Sequence, residues 1–272
     1  MNKNDSGAGQ ATVRVGFSKE QGPYGERQVG VITLDRPEKR NALRTAECLA
    51  IADGVRELVD AGARAILLTG TGPVLCAGAD LGGGVYAEGF DKAVEAMLHA
   101  VLAAPVPVIA DVYGPAIGAG CQLILACDLR VFQDAGECWV PVARQGFALD
   151  EWTHSRAVEL MGGAWARNIF LGGAHLGAEQ ARGMGFAIDP RGATAKQFAA
   201  KIAAQAPLSM EHSKATLNSL GDDGTTREKT RARLQELFST TWASEDAAEA
   251  RAARCEARAA RCEGRAPKFH GR

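Results

Sequence analysis

The chain has 272 residues, of which 46% are apolar and 23% are charged, and its formal net charge is −1. This composition is typical of a globular protein with one or two domains. A charge so close to zero gives no electrostatic basis for a nucleic-acid partner.

Three further features bear on location. Residues 1–10 are small and polar, unlike a signal peptide, so we expect a disordered tail. The best candidate for a membrane span, residues 96–110, is interrupted by His99 and two prolines, so no span is predicted. The seven cysteines lack C-x-x-C spacing, which argues against disulfides or a metal site and favours a cytoplasmic location.

The first half of the chain alternates strand and helix patterns. Val13–Phe17 and Val29–Leu34 predict a hairpin with its turn at 22–26, and Thr45 is expected to cap a helix that ends near Ala61. Further strands are predicted at 65–69, 106–112, 128–132 and 138–140, a helix at 95–103, and a mobile loop at 82–90.

The second half is predicted to be largely helical from Ser155 onward. A composition shift near Pro207 indicates a boundary before a helical end region. The predicted helices are 164–171, 178–184, 193–206 and 209–220.

The most informative stretch is residues 114–128. Gly114 and Pro115 break the strand before them, and the small residues 118–120 allow a backbone or a ligand to approach closely. The apolar run that follows predicts a short buried helix beginning at Gly118, whose free N–H groups would point back along the chain. Two converging N–H groups make an oxyanion hole. Tight helix–strand packing is the alternative explanation.

A second small-residue turn, L-C-A-G-A-D-L at 75–81, follows the strand at 65–69 and ends in three glycines. Together with R-P-E-K-R-N-A-L at 36–43, the two turns resemble the crotonase (enoyl-CoA hydratase/isomerase) superfamily in motif, order and spacing. The resemblance covers residues 29–272. It implies an α/β spiral of stacked ββα units over 11–206, a helical trimerisation or lid region over 207–272, and a homotrimer or hexamer.

The resemblance also implies a site for acyl-CoA, which would be substrate or ligand, with no resident cofactor. The thioester oxygen would lie between the N–H groups of Ala79 and Ala119, and Lys39 and Arg40 would meet phosphates, unless they are only solvated surface charges. The other implied contacts to adenine, CoA or acyl chain are Ala42, Ala77, Gly78, Asp80, Leu81, Gln122, Val142 and Trp152.

Both glutamates that perform hydration in this superfamily are missing. Their positions correspond to Gln122 and Val142. An amide cannot accept a proton at neutral pH, and valine has no acid–base chemistry. The sequence therefore predicts a poor hydratase.

Asp150 is the candidate substitute, because some members of the superfamily have an aspartate at this position. It could be a base, a nucleophile or a polar wall residue, with Glu151 and Trp152 as neighbouring alternatives. Equally, Asp150 could simply cap the helix that follows it. Two functions stay open: an enzyme of fatty-acid metabolism, lyase or isomerase, that uses Asp150, or a non-catalytic acyl-CoA carrier.

The C-terminal end contains a tandem heptad, E-A-R-A-A-R-C at 249–255 and again at 256–262. Its composition is typical of a solvated helix. In the superfamily the segment after it covers an acyl-CoA site, often across a subunit boundary, and Lys268 and Phe269 are the counterparts here. Seven extra helical residues add roughly 10 Å. Either a shorter neighbouring loop still lets these two residues reach the site, or they are displaced and the pocket is more open than usual, which is the outcome we expect.

Overall fold

The computed structural model describes residues 12–18, 28–83, 87–220, 224–260 and 267–271. The predicted tail at 1–10, the turn at 22–26 and the last residues of the second heptad lie outside this part of the chain, as does the middle of the loop predicted at 82–90. Among the described residues, no helix is both long and apolar enough to cross a bilayer.

A five-stranded sheet forms the centre of the fold, in the order β1-β2-β3-β4-β6. β1 is antiparallel to β2, which confirms the predicted hairpin pairing, and the other neighbours are parallel. In chain order the strands are β1 (Val13–Phe17), β2 (Val29–Leu34), β3 (Ala65–Gly70), β4 (Val108–Val112), β5 (Pro115–Ile117), β6 (Leu129–Phe132), β7 (Glu137–Trp139) and β8 (Leu176–Gly177).

A smaller sheet, β5-β7-β8, forms the inner layer. Isolated parallel bridges extend it, because Leu43 pairs with Ala79 and Cys76 pairs with Ala116. In successive turns of the spiral, the chain thus contributes a strand to the main sheet and then a strand or bridge to the inner layer. This arrangement confirms the predicted α/β spiral.

The helices surround these sheets. Their bounds are α1 (Thr45–Asp60), α2 (Phe90–Ala103), α3 (Ala119–Ala126), α4 (Val142–Gln145), α5 (Glu151–Phe170, interrupted at Gly162), α6 (Ala178–Gly183), α7 (Ala195–Ala203), α8 (Pro207–Ser219), α9 (Gly224–Ala243) and α10 (Glu245–Ala260), with a 3₁₀ turn at Pro37–Lys39.

Both faces of the central strand β3 are buried, which is why it reads as a continuous apolar run. In β3, Ile66 and Leu68 face the core formed with α1, α2 and α3. The alternate residues Ala65 and Leu67 face α7. The sheet is therefore fixed between helical layers.

The helix cap predicted at Thr45 is wrong. Arg44 is the N-cap of α1, and Thr45 is the first helical residue. Glu47 accepts hydrogen bonds from the Arg44 N–H (3.0 Å) and from Arg44 Nε (2.9 Å). A carboxylate at the third helical position thus supplies the capping contact in place of a threonine hydroxyl.

Candidate functional site

The candidate site lies where the parallel strands β2, β3 and β4 end. Parallel strands have their carboxyl ends at the same edge, so the segments that follow them meet. The segment after β2 contributes Leu43, the segment after β3 contributes residues 75–80, and the segment after β4 contributes β5 and the start of α3.

Backbone hydrogen bonds join these three segments. Leu43 N–H donates to Gly78 O (2.7 Å), and Asp80 N–H donates to Leu43 O (2.8 Å). On the other side, Ile117 N–H donates to Cys76 O (2.9 Å). Residues 76–80 therefore form the middle strand of a small parallel ladder.

Two backbone N–H groups remain available at this ladder. Leu43 bonds to Gly78 and Asp80, so the N–H of Ala79 points away from it. Ala119 is the first residue of α3, where an N–H has no acceptor within the helix. Among the residues that the structure describes, no hydrogen bond from either N–H group is found.

The two N–H groups are neighbours because Gly78 has no side chain. Gly78 has a φ of +88°, and a Cβ atom there would lie 2.6 Å from Ile117 O and 3.4 Å from Ala119 N. The peptide that carries the Ala79 N–H begins at this glycine. The structure thus brings the backbone at Ala79 close to the start of α3 at Ala119.

Gly118 and Gly120 shape the start of α3. Gly118 is the N-cap, with a φ of +52°, and the helix begins where the sequence predicts it. A Cβ atom on Gly120 would lie within 2.9 Å of Cys76 Sγ, Cβ and carbonyl oxygen. Both observations agree with the predicted close approach of the two turns.

Arg36 and Asn41 hold the first of the three segments in place. Arg36 Nη1 lies 2.8 Å from Asp80 Oδ2. The fully buried Asn41 donates to the carbonyls of Thr71 and Val74, both at 2.9 Å, and its Oδ1 accepts the Arg36 N–H at 2.8 Å. Neither residue was a predicted site residue, although both belong to the motif at 36–43.

Asp80 is ionised and forms contacts that hold this segment in place. The hydrogen bond from Arg36 holds the pKa of the Asp80 carboxyl below its ordinary value. Its Oδ1 also accepts the Gly82 N–H at 2.9 Å. Asp80 therefore lies in the predicted segment, but its contacts in the chain fix the backbone on either side of Ala79.

The remaining predicted CoA contacts lie around this ladder. Lys39 and Arg40 are exposed beside it, and Arg40 O accepts the Ala77 N–H at 3.0 Å. Ala42 is buried, and Leu81 is 52% exposed. Two exposed cations next to an apolar exposed side chain are compatible with a phosphate-containing ligand.

Gln122 and Asp150 are connected through a residue that was not predicted, Thr153. Gln122 Nε2 donates to Thr153 Oγ1 at 2.7 Å, and Thr153 Oγ1 also contacts Asp150 Oδ1. Asp150 is the N-cap of α5, and its Oδ1 accepts the Thr153 N–H at 3.0 Å. The helix-capping interpretation of Asp150 is therefore confirmed. The D-x-x-T pattern at 150–153 is the signal that could have identified Thr153.

Val142 and Trp152 are the remaining apolar residues of the predicted site. Val142 begins α4, and both side chains are half-buried against the core. Trp152 also lines a cavity of about 680 Å³ between α2, α5, α8 and α9. This cavity is displaced from the ladder, so its volume does not measure the candidate site.

Cys76 belongs to the ladder, and it is buried. Burial raises the pKa of its thiol to about 12, so the thiolate needed for nucleophilic chemistry does not form at neutral pH. The described residues contain no group of His, Cys, Asp or Glu arranged to bind a metal ion.

Lys268 and Phe269 lie at the opposite edge of the sheet. Arg64, which immediately precedes β3, donates to Phe269 O at 2.8 Å, and Lys268 N–H donates to Glu249 Oε1 at 3.0 Å. The six residues of β3 separate this edge from the ladder, a span of roughly 20 Å. The structure therefore does not bring these two residues to the site of their own chain.

The stacked sheets and the paired N–H groups at their edge define the crotonase class of α/β proteins. The enoyl-CoA hydratase/isomerase family model matches residues 25–270, and the chain belongs to this family.

Relatives and solved structures agree with this membership. The chain is 41% identical over 225 residues to "Probable enoyl-CoA hydratase echA6" of Mycobacterium tuberculosis, covering 82% of this chain and 90% of that protein. The Mycobacterium leprae protein of the same name is 40% identical, with 83% and 92% covered. The crystal structure of enoyl-CoA hydratase subunit I from Geobacillus kaustophilus has a TM-score of 0.77 at 26% identity, with 97% and 99% covered.

Replacing Asp80 by asparagine should destabilise the chain in a pH-dependent way. Because the folded-state pKa of Asp80 is lowered, the stabilisation from its pair with Arg36 is present above the ordinary carboxyl pKa and is lost as the pH falls through the folded value. Urea unfolding at pH 7 and at several values down to pH 3 should show the difference between wild type and Asp80→Asn shrinking. Asp53→Asn, which breaks an exposed pair with Arg56, is the control and should change little at any pH. A constant Asp80→Asn difference would contradict the pairing.

Proposed function

We propose that this chain binds an acyl-CoA thioester and does not hydrate it. Support for binding comes from the neighbouring N–H groups of Ala79 and Ala119, which have no acceptor among the described residues. Preformed donors of this kind stabilise negative charge on a carbonyl oxygen. Family membership supports coenzyme A as part of the ligand, with no resident cofactor in the proposal. A homotrimer or hexamer in the cytoplasm belongs to the same proposal.

The absence of hydration follows from the side chains around the donors. Gln122 is an amide, Val142 is apolar, and the Oδ1 atom of Asp150 is engaged as a helix cap. Neither Gln122 nor Val142 can act as the general base that hydration needs. The site would therefore polarise the thioester without transferring a proton.

The wild-type protein should bind butyryl-CoA and crotonyl-CoA in calorimetry but hydrate crotonyl-CoA negligibly. The measurement is the loss of absorbance of the conjugated thioester with time. Hydration at rates of ordinary enzymes, on the order of 10 s⁻¹, would contradict the proposal. Failure to bind either thioester would contradict it more completely.

A second function, a reaction that uses Asp150, is favoured by one observation: Asp150 is exposed at the end of the hydrogen-bonded group that contains Gln122. Asp150→Asn distinguishes the two functions. Asparagine retains an oxygen that caps the helix but cannot serve as a base. The binding function predicts unchanged acyl-CoA affinity and no lost turnover. Loss of a measurable turnover with retained affinity would favour the Asp150-dependent enzyme.

A further inference from the structure

The inner layer carries an aromatic pair that the function proposed above does not use. Trp139 in β7 and His175, which immediately precedes β8, stack with their ring centroids 3.9 Å apart and their planes at 5° to each other. His175 Nδ1 also lies 3.2 Å from Glu137 Oε2. The His175 side chain is 52% exposed, so the pair lies at the surface of the layer and is not part of the core.

The strand register explains why these three side chains meet. β7 is antiparallel to β8, and Cys138 faces Leu176, which places the preceding residue His175 opposite Trp139. Glu137 and Trp139 are alternate residues of β7, so they share one face of the strand. The imidazole therefore contacts both its direct neighbour and its diagonal neighbour across the ladder.

These contacts hold β8 against β7 where the backbone alone is weak. β8 contains only two residues, and so short a pairing has few hydrogen bonds of its own. Aromatic contacts and polar pairs across a ladder stabilise strand pairing. Glu137, Trp139 and His175 therefore act together as a support for β7, which we call the β7 brace.

β7 in turn holds the start of α3 in place. Trp139 pairs with Ile117 of β5, and the carbonyl oxygen of Trp139 accepts the Gly118 N–H at 3.0 Å. Gly118 is the N-cap of α3, and its own carbonyl oxygen accepts the Gln122 N–H at 3.0 Å. Gly118 is thus held through both its N–H and its carbonyl group. The peptide that joins it to Ala119 carries the Ala119 N–H.

We propose that His175 is a positioning residue, which acts through its stack on Trp139 to keep the Ala119 N–H directed at the oxygen of a bound thioester. The inference rests on the proposed function, in which the N–H groups of Ala79 and Ala119 receive that oxygen. Direction matters because a hydrogen bond weakens steeply as its angle departs from linearity. The loss of His175 should therefore reduce the polarisation of the thioester carbonyl more than it reduces the binding of coenzyme A.

The test is the absorption spectrum of bound sorbyl-CoA, a thioester whose carbonyl is conjugated with two double bonds. Donors that polarise this carbonyl shift its absorption maximum to longer wavelength, so the shift measures the action of the N–H groups separately from affinity. The full-length wild type should show such a shift at saturation. His175→Ala should show a smaller shift and bind about two- to fivefold more weakly, as for a weakened hydrogen bond.

Two further variants distinguish positioning from general loosening of the chain. His175→Phe keeps a ring on Trp139 without the bond to Glu137, and it should restore most of the wild-type shift. His212→Ala is the matched control, because it removes a histidine ring that contacts Phe238 between α8 and α9. This control should leave the shift unchanged. Urea unfolding of each variant shows that the compared proteins are folded.

The outcomes separate this inference from the function on which it rests. If the wild type does not bind sorbyl-CoA or crotonyl-CoA, or binds sorbyl-CoA without a shift, the proposed action of the N–H groups is overturned, and the inference with it. If only His175→Ala keeps the wild-type shift, the positioning role of His175 alone is overturned. A shift that His175→Phe fails to restore would overturn the stack as its cause, and an equal loss in His212→Ala would overturn the specific role of the β7 brace.

Discussion

Replacing Gly78 by alanine should weaken acyl-CoA binding by at least about tenfold and destabilise the chain by about 2–4 kcal/mol. Two causes add. The φ of +88° is unfavourable for any residue with a Cβ atom, and that atom would lie 2.6 Å from Ile117 O. The new methyl group must push residues 76–80 away from the start of α3, which separates the N–H groups of Ala79 and Ala119.

Gly62→Ala is the matched control for the Gly78 variant. Gly62 has a nearly equal φ of +84°, but a Cβ atom there would meet nothing within 4 Å. This control should cost about 1–2 kcal/mol from backbone conformation alone and should leave acyl-CoA affinity unchanged. Urea unfolding and butyryl-CoA titration of both variants measure the two effects. Wild-type affinity in Gly78→Ala would show that close approach of the two segments is not needed for binding.

The elements with strong patterns could be predicted from the sequence. β3 is a continuous apolar run because both faces of a parallel strand are buried, and α3 begins where Gly118 interrupts the preceding strand. The spiral was implied by the family resemblance that the two small-residue turns and the motif at 36–43 carry. Local residue chemistry and global fold agree at these positions, so the sequence alone was informative.

The inner layer could not be predicted in the same way. β5 begins at Pro115, directly after a glycine and at a proline, a pattern that ordinarily indicates the end of a strand. β8 has two residues, too few for any alternation to be recognised. These strands exist because neighbouring turns of the spiral supply partners distant in sequence, and no local pattern encodes those partners.

The candidate site likewise has a part that local sequence predicts and a part that it does not. The N–H pair could be predicted because backbone donors depend on the turn and helix, which the small residues determine. The hydrogen bonding of the Gln122 amide could not be predicted, because its partner Thr153 is 31 residues away on a helix that packs against α3. The placement of Phe269 depends likewise on Arg64, 205 residues away.

A buried lysine joins the C-terminal helices to the rest of the fold. The Nζ atom of Lys214 in α8 donates to Val101 O (2.9 Å) and Val106 O (3.0 Å) and lies 2.7 Å from Asp128 Oδ2. The carbonyls belong to the last turn of α2 and the segment after it, and Asp128 follows α3. One ammonium group thus satisfies acceptors from three parts of the chain, and its own side chain is 6% exposed.

Lys214→Met should therefore destabilise the chain by about 3–5 kcal/mol, because it leaves a mostly buried carboxylate without its cation. Methionine fills similar volume, so the loss reflects the charge and the hydrogen bonds. Lys201→Met, which changes an exposed lysine in α7, is the control and should cost less than about 0.5 kcal/mol. Urea unfolding at one fixed protein concentration gives both values, since association would otherwise contribute.

In the double variant with Asp128→Asn, the total loss of stability should be smaller than the sum of the single losses, because the unpaired charge is gone. Additive losses would mean that Lys214 and Asp128 do not stabilise each other.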